Sequence, residues 1–252
     1  MRHNAYVIPV SALRGRQGRI VFPQPVSLMI RVLLLAAILG VTSGLAFAQR
    51  APDRLPIMAD DGSPILNQRI APDRSAAAEK LPGAVVAANP KGNVTLVEFY
   101  DLNCPFCRRA SADVDALVKA DKNLRLVLVP FPVLGIASVQ AGRVELAVAK
   151  SVAPDMFYRF HRALYEGRGV IDGQRALAVA TSFHLDQQTI VDKANSDDLT
   201  ETMKAHLRFA DTVGIKATPS YLIHDVAIHG HPGPKTLQRV VASVRKCGKA
   251  VC

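Results

Sequence analysis

The chain has 252 residues, 31 basic and 21 acidic side chains, a formal net charge of +10 and four cysteines. Residues 1–48 hold five of the basic residues (Arg2, Arg14, Arg16, Arg19 and Arg31) and no acidic one, which leaves 26 basic against 21 acidic over the remaining 204 residues. A residual +5 with no basic run interleaved with aromatics does not argue for a nucleic-acid partner, and the length suffices for one domain with its own core.

The first predicted element is a leader. The basic stretch runs into "VLLLAAILGVTSGLAFA", Val32–Ala48, which ends in the small-x-small triplet Ala46-Phe47-Ala48. That order is a secretory signal peptide with cleavage expected after Ala48. Gly40, Thr42, Ser43 and Gly44 interrupt the run, whereas a membrane span needs about 20 predominantly apolar residues. Translation from Met29 would itself yield an ordinary leader, so the start at Met1 or Met29 stays open. Export to the periplasm places all four cysteines where disulfides form and persist.

Residues 49–88 are polar and proline-dotted, with the near repeat "QRAPDR" at 49 and "QRIAPDR" at 68. They read as an N-terminal arm with a short helix around Ser75–Lys80, open to disorder or to self-association into a homo-oligomer. Residues 89–252 form the main domain. A turn at Asn89–Asn93 precedes a strand at Val94–Tyr100, apolar enough to be central except for Glu98. Pro105 suits the first position of a helix, and Cys107, Ala110, Val114, Leu117 and Val118 then share one helical face. A second strand from Leu124 completes a β-α-β unit. The middle, about 136–213, is helical, with one apolar stripe at Met156, Phe157, Phe160 and Leu164 and another at Leu199, Met203, Leu207 and Ala210. His161, His184 and His206 fall here and receive no role. Tyr221–Ile223 and Val226–Ile228 read as two strands around a His224-Asp225 turn, and Leu237, Val240, Val241 and Val244 mark a closing helix.

The chemistry follows from where the cysteines stand. Cys104 lies at a helix N-terminus, where unsatisfied N–H groups and the positive end of the helix dipole stabilise a thiolate, the attacking species in disulfide exchange. Arg108 and Arg109 either add to this or point to solvent. Cys104 is expected to be the exposed attacker and Cys107, one turn in, to resolve the mixed disulfide. Glu98, six residues before Cys104, is expected beneath the pair with a raised pKa, exchanging a proton with Cys107; the alternative is a carboxylate reaching solvent at a sheet edge. "CGKAVC" at the C-terminus points to a local Cys247–Cys252 staple, with free thiols or a second redox pair as alternatives. A structural zinc module using Cys104, Cys107, Cys247 and Cys252 is a competing reading. A redox-inert binding protein that uses the 49–88 arm is another.

Taken together, "NPKGNVTLVEFYDLNCPFCRR", the helical insert and "GIKATPSYLI" resemble the DsbA-like branch of the thioredoxin superfamily over about Asn89 to Lys246. The resemblance implies an α/β thioredoxin-like fold, β-α-β, helical insertion, β-β-α, with a DsbA-like helical domain. It implies a thiol:disulfide oxidoreductase with Cys104 and Cys107 catalytic, Glu98 the upstream carboxylate, and a cis-proline at Pro219. Thr218 and Pro219, with Pro105 and Phe106, then face the substrate chain. It implies no cofactor, exported cysteine-containing proteins as substrates, and a membrane partner that reoxidises or reduces the enzyme. The best-known oxidases carry histidine and valine where Phe106 and Thr218 stand, and threonine before the cis-proline occurs in isomerase-type relatives. The direction of exchange is therefore open between oxidase, isomerase and reductase.

Overall fold

Aliphatic and β-branched residues fill β3 (Val94–Tyr100) and β4 (Leu124–Pro130), and both strands are buried along almost their whole length. Strands covered on both faces read as near-continuous apolar runs, and these two form the parallel pair at the heart of the sheet. The computed structural model describes residues 53–252; the predicted leader, its cleavage site and Met29 lie outside the described residues. Four further strands, β1 (Leu66–Arg69), β2 (Val85–Ala88), β5 (Ser220–Ile223) and β6 (Val226–His229), give one sheet in the order β1-β6-β5-β3-β4-β2. All pairs except β3–β4 are antiparallel. The helices are α1 (Pro72–Ala78), α2 (Pro105–Ala120), α3 (Ile136–Ala149), α4 (Pro154–Leu164), α5 (Gly173–Ser182), α6 (Gln187–Ala194), α7 (Asp197–Thr212) and α8 (Pro234–Cys247). α2 crosses between β3 and β4, and α3 to α7 fill the predicted insertion.

Period-2 alternation divides the core. Leu96, Tyr100, Leu126, Leu128 and Tyr221 join the cluster that contains Cys107 and most of the insertion's buried face. Val97, Phe99, Val127, Val129 and Leu222 pack on the other side with Ala78, Ala210, Val213 and Ile215. Phe99 meets Phe131 edge-on at 6.2 Å between ring centroids and stacks on Phe209 at 6.1 Å. Each such fully buried side chain contributes about 1.5–3 kcal/mol of transfer free energy.

Two expectations need correction. The predicted 49–88 arm is, over its described residues 53–88, not free: β1 pairs with β6 and β2 with β4, so it supplies both edges of the sheet. Its polar composition misleads because edge strands keep one side open to water. On α7 the buried face is Leu199, Thr202, Met203, His206 and Ala210, while Leu207 is exposed. His206 takes the inward position because its two ring nitrogens lie 2.8 Å from the Pro130 carbonyl and 2.6 Å from the Pro82 carbonyl.

Residues before β1 also hold α8. Its N-cap position, Gly233, offers no side chain, and Asp60 substitutes from far away in the sequence. Lys235 N–H donates to Asp60 Oδ2 at 2.9 Å and Thr236 N–H to Oδ1 at 2.7 Å. Gly233 has φ +92°, and a Cβ there would come within 2.4 Å of Asp60 Cγ, so only glycine fits.

Candidate active site

The end of β3 delivers the chain to α2 through a turn built on Asp101. Its carboxylate accepts from the N–H groups of Asn103 at 2.8 Å, Val133 at 2.8 Å and Leu134 at 2.9 Å, and from the Ser138 hydroxyl at 2.7 Å. Asn103 extends the brace: its side chain donates to the Ile171 carbonyl at 2.8 Å and accepts from the Ile171 N–H at 2.7 Å. The turn before α2 is thereby locked to the loop after β4 and to the insertion. Neither residue was given a role from the sequence; the signal available was a pair of turn-forming polar residues directly before a C-P-x-C stretch.

Cys104 caps α2 in an extended conformation, φ −73° and ψ 119°, with Pro105 as the first helical residue. The Cys107 N–H donates to Cys104 Sγ at 3.5 Å, and Cys104 Sγ lies 3.2 Å from the Thr218 carbonyl oxygen. The Thr218-Pro219 peptide is cis, and the Gly230 N–H holds the Pro219 carbonyl at 2.8 Å. Cys107 is buried one turn in. Cys104 was expected to be exposed, yet only 3% of it is, because the Thr218-Pro219 segment lies over the sulfur. Exposure falls instead on the neighbouring Phe106, at 58%.

The two sulfurs are pushed in opposite directions. The hydrogen bond from the Cys107 side chain, then that from Thr218 and the N–H groups of Cys107 and Phe106, outweigh burial and lower the Cys104 pKa from 9.0 to about 5. Burial, the hydrogen bond to Cys104 and the charge of Glu98 raise the Cys107 pKa far above the ordinary thiol range. An anion at Cys104 backed by a neutral thiol at Cys107 is the pairing that disulfide exchange requires. The arginines are not part of it. Arg108 donates to the carbonyls of Tyr165 at 2.5 Å and Gly167 at 2.7 Å, and Arg109 lies over the Phe106 ring, 4.6 Å from its centroid.

Glu98 is not at a sheet edge. β3 is central, and Glu98 stands between Leu128 and Tyr221, 4% exposed and on the face that carries Tyr100. Burial raises its pKa to about 7; a charge on His161 opposes the rise and one on Cys104 adds to it. A carboxyl that titrates near neutrality beside a deeply buried thiol is able to take or return that thiol's proton.

Cys247 and Cys252 are joined by a disulfide, whereas Cys104 and Cys107 are free. The four cysteines thus form two separate pairs rather than one tetrahedral set. Among the described residues no group of three or more His, Cys, Asp or Glu side chains is placed to hold a metal ion.

A family model described as Thioredoxin matches residues 80–243. No curated protein matches the chain. Among solved structures, a thioredoxin-like oxidoreductase from Silicibacter pomeroyi is 34% identical over 68% of this chain and 97% of its own, with a TM-score of 0.64. A periplasmic thioredoxin-like protein from Salmonella enterica is 25% identical over 70% of this chain and 98% of its own, with a TM-score of 0.57. The thiol-disulfide exchange protein alpha-DsbA2 from Wolbachia pipientis shares the fold, with 20% identity, 69% and 95% coverage and a TM-score of 0.61.

Proposed function

Because the chain belongs to the thioredoxin family, we propose that it is a DsbA-like thiol–disulfide oxidoreductase that acts in the periplasm and transfers a disulfide from Cys104–Cys107 to exported proteins. A substrate thiolate attacks Cys104 Sγ, the Cys104–Cys107 bond breaks, and Cys107 leaves as a thiolate that takes a proton from Glu98. A second substrate thiolate then attacks the substrate sulfur of the mixed disulfide and releases Cys104 as a thiolate. The substrate is oxidised by two electrons and the enzyme reduced by two; a membrane redox partner restores the disulfide. Thr218, Pro219, Pro105 and Phe106 surround the sulfur and form the substrate-facing surface. The leader ending at Ala48 supplies export, and the description of the Salmonella relative as periplasmic supports the location.

The observation that carries the direction is the environment of Cys104. A sulfur held as an anion, with a pKa of about 5, stabilises the reduced enzyme and makes its disulfide a good oxidant. Thr218 favours a second reading, isomerisation, through the resemblance to isomerase-type relatives. That role usually needs two active sites facing one cleft; the 49–88 stretch, read as open to disorder or to self-association, gives Leu66–Arg69 and Val85–Ala88 to the chain's own sheet, which supports the oxidase. The test is the reduction potential against glutathione, with molecular mass measured in the same sample. A monomer well above the roughly −270 mV of thioredoxin supports the proposal. A value near thioredoxin's excludes the oxidase, and a dimer with isomerase activity replaces it by the second reading.

A further inference from the structure

Two networks of polar side chains border Glu98, and they differ in whether they reach water. On one side the Tyr100 hydroxyl donates to Glu145 Oε2 at 2.7 Å, and Glu145 Oε1 lies 2.7 Å from His161 Nδ1. All three residues are buried, so this network is closed. On the other side Tyr221 stands directly opposite Glu98 in the β3–β5 pairing, on the same face of the sheet. Its hydroxyl lies 3.0 Å from His231 Nδ1, and His231 Nε2 lies 2.9 Å from Asp113 Oδ2 on α2. Tyr221 is fully buried, while the His231 side chain is 15% exposed and that of Asp113 is 42% exposed. This second network is open at its far end.

Each cycle of the proposed reaction needs such an opening. When Cys107 leaves as a thiolate it takes a proton from Glu98, which must be replenished; when the partner reoxidises the enzyme, the proton comes back off Cys107 and must leave. Leu128, the other strand neighbour of Glu98, has no group that exchanges a proton. We propose that Tyr221, His231 and Asp113 conduct this proton between Glu98 and solvent. The proposal rests on the reading of Glu98 as the proton carrier for Cys107.

Hydrogen bonds run from the Tyr221 hydroxyl through His231 to Asp113, and Glu98 adjoins the inner end as the cross-strand neighbour of Tyr221. Asp113 accepts from Nε2–H, which leaves Nδ1 as the acceptor for the Tyr221 hydroxyl. On the outward path Tyr221 receives a proton from the Glu98 carboxyl as it passes its own to Nδ1, and His231 hands the Nε2 proton to Asp113. The phenol is never ionised. Burial first, then the nearby charges of Glu98 and Cys107, hold its pKa well above 10, so it serves only as a relay. The inward path of the other half-reaction restores the starting tautomer, so each turnover resets the wire. His231 and Asp113 act through Tyr221 and Glu98 and are positioning residues.

The experiment follows the decay of a mixed disulfide on Cys104 by rapid mixing, from pH 5 to 9, in the wild type, E98Q, H231Q and D113N. H231Q is expected to slow resolution about tenfold near neutrality, with recovery on adding imidazole, while the Cys104 titration midpoint and the equilibrium with glutathione stay put. D113N is expected to slow it about threefold, since water reaches His231 without it. A folded H231Q that resolves at the wild-type rate across the range overturns the relay, as does slowing that imidazole leaves unrepaired. If H231Q does not fold, an unchanged rate in D113N overturns it. E98Q separates the two readings: E98Q slow with H231Q normal removes only the relay, whereas E98Q at the wild-type rate removes the role of Glu98 and the relay with it.

Discussion

The chain holds two cysteine pairs at opposite ends of two helices of similar length. Cys104 precedes the first residue of the 16-residue α2; Cys247 is the last residue of the 14-residue α8. At the start of α2 a sulfur meets free N–H groups and the positive end of the dipole, and it rests as an anion with a neutral thiol behind it. At the end of α8 the carbonyl-rich, negative end of the dipole disfavours a thiolate, and the sulfur is tied into a disulfide. Gly248, at φ +69°, turns the chain so that Cys252 returns to Cys247, and the Ala250 N–H then donates to Asp225 Oδ1 at 2.7 Å. Asp225 in turn pairs with Arg69 of β1 at 2.8 Å. One pair is set up to exchange and the other to pin the tail against the sheet. Helix polarity, more than cysteine spacing, separates them.

The comparison breaks most visibly on substitution. Cys104→Ser is expected to reduce disulfide transfer by roughly a thousandfold or more. The Cys247→Ser/Cys252→Ser double variant should keep the rate within about twofold and lose about 2 kcal/mol of stability in chemical denaturation, the entropy of closing so short a loop. Equal loss of transfer in both variants would erase the distinction.

A pH titration sharpens it. Thiolate absorbance of Cys104 should appear with a midpoint near 5. Because that pKa is depressed on folding, the stability it lends the reduced form is fully present above the ordinary thiol value of 9.0 and is lost as pH falls through about 5. The reduced protein should therefore exceed the oxidised one in stability at pH 7 and lose that lead at pH 4.

The smallest effect concerns how the two helices begin. α2 is capped by its own reacting sulfur, α8 by Asp60 from outside. Asp60→Ala should cost about 1–2 kcal/mol with no change in exchange rate, and Gly233→Ala should destabilise by displacing the same carboxylate. Burial opposes ionisation of Asp60, but the N–H groups of Lys235 and Thr236 prevail and lower its pKa. Its contribution is thus present above the ordinary value of 3.8 and is lost as pH falls below it, so Asp60→Ala and the wild type should converge in acid.

Local sequence determined a good deal of this protein. Val94–Tyr100, Pro105 and the apolar positions of α2 dictate a buried strand that runs into a helix with Cys104 at its mouth, since hydrophobic periodicity and proline placement act over a few residues. Thr218-Pro219 gained meaning only beside a family resemblance, because most such bonds are trans. Tertiary structure alone decided the rest: that 66–88 supplies both outer strands of the sheet, that Asp101 and Asn103 brace the active turn, that the arginines turn away from the sulfur, and that Tyr221, opposite Glu98, is bonded through His231 to Asp113. Each of these depends on residues far apart in the chain meeting across the sheet, and neither spacing nor composition encodes which distant partner a buried polar group will find.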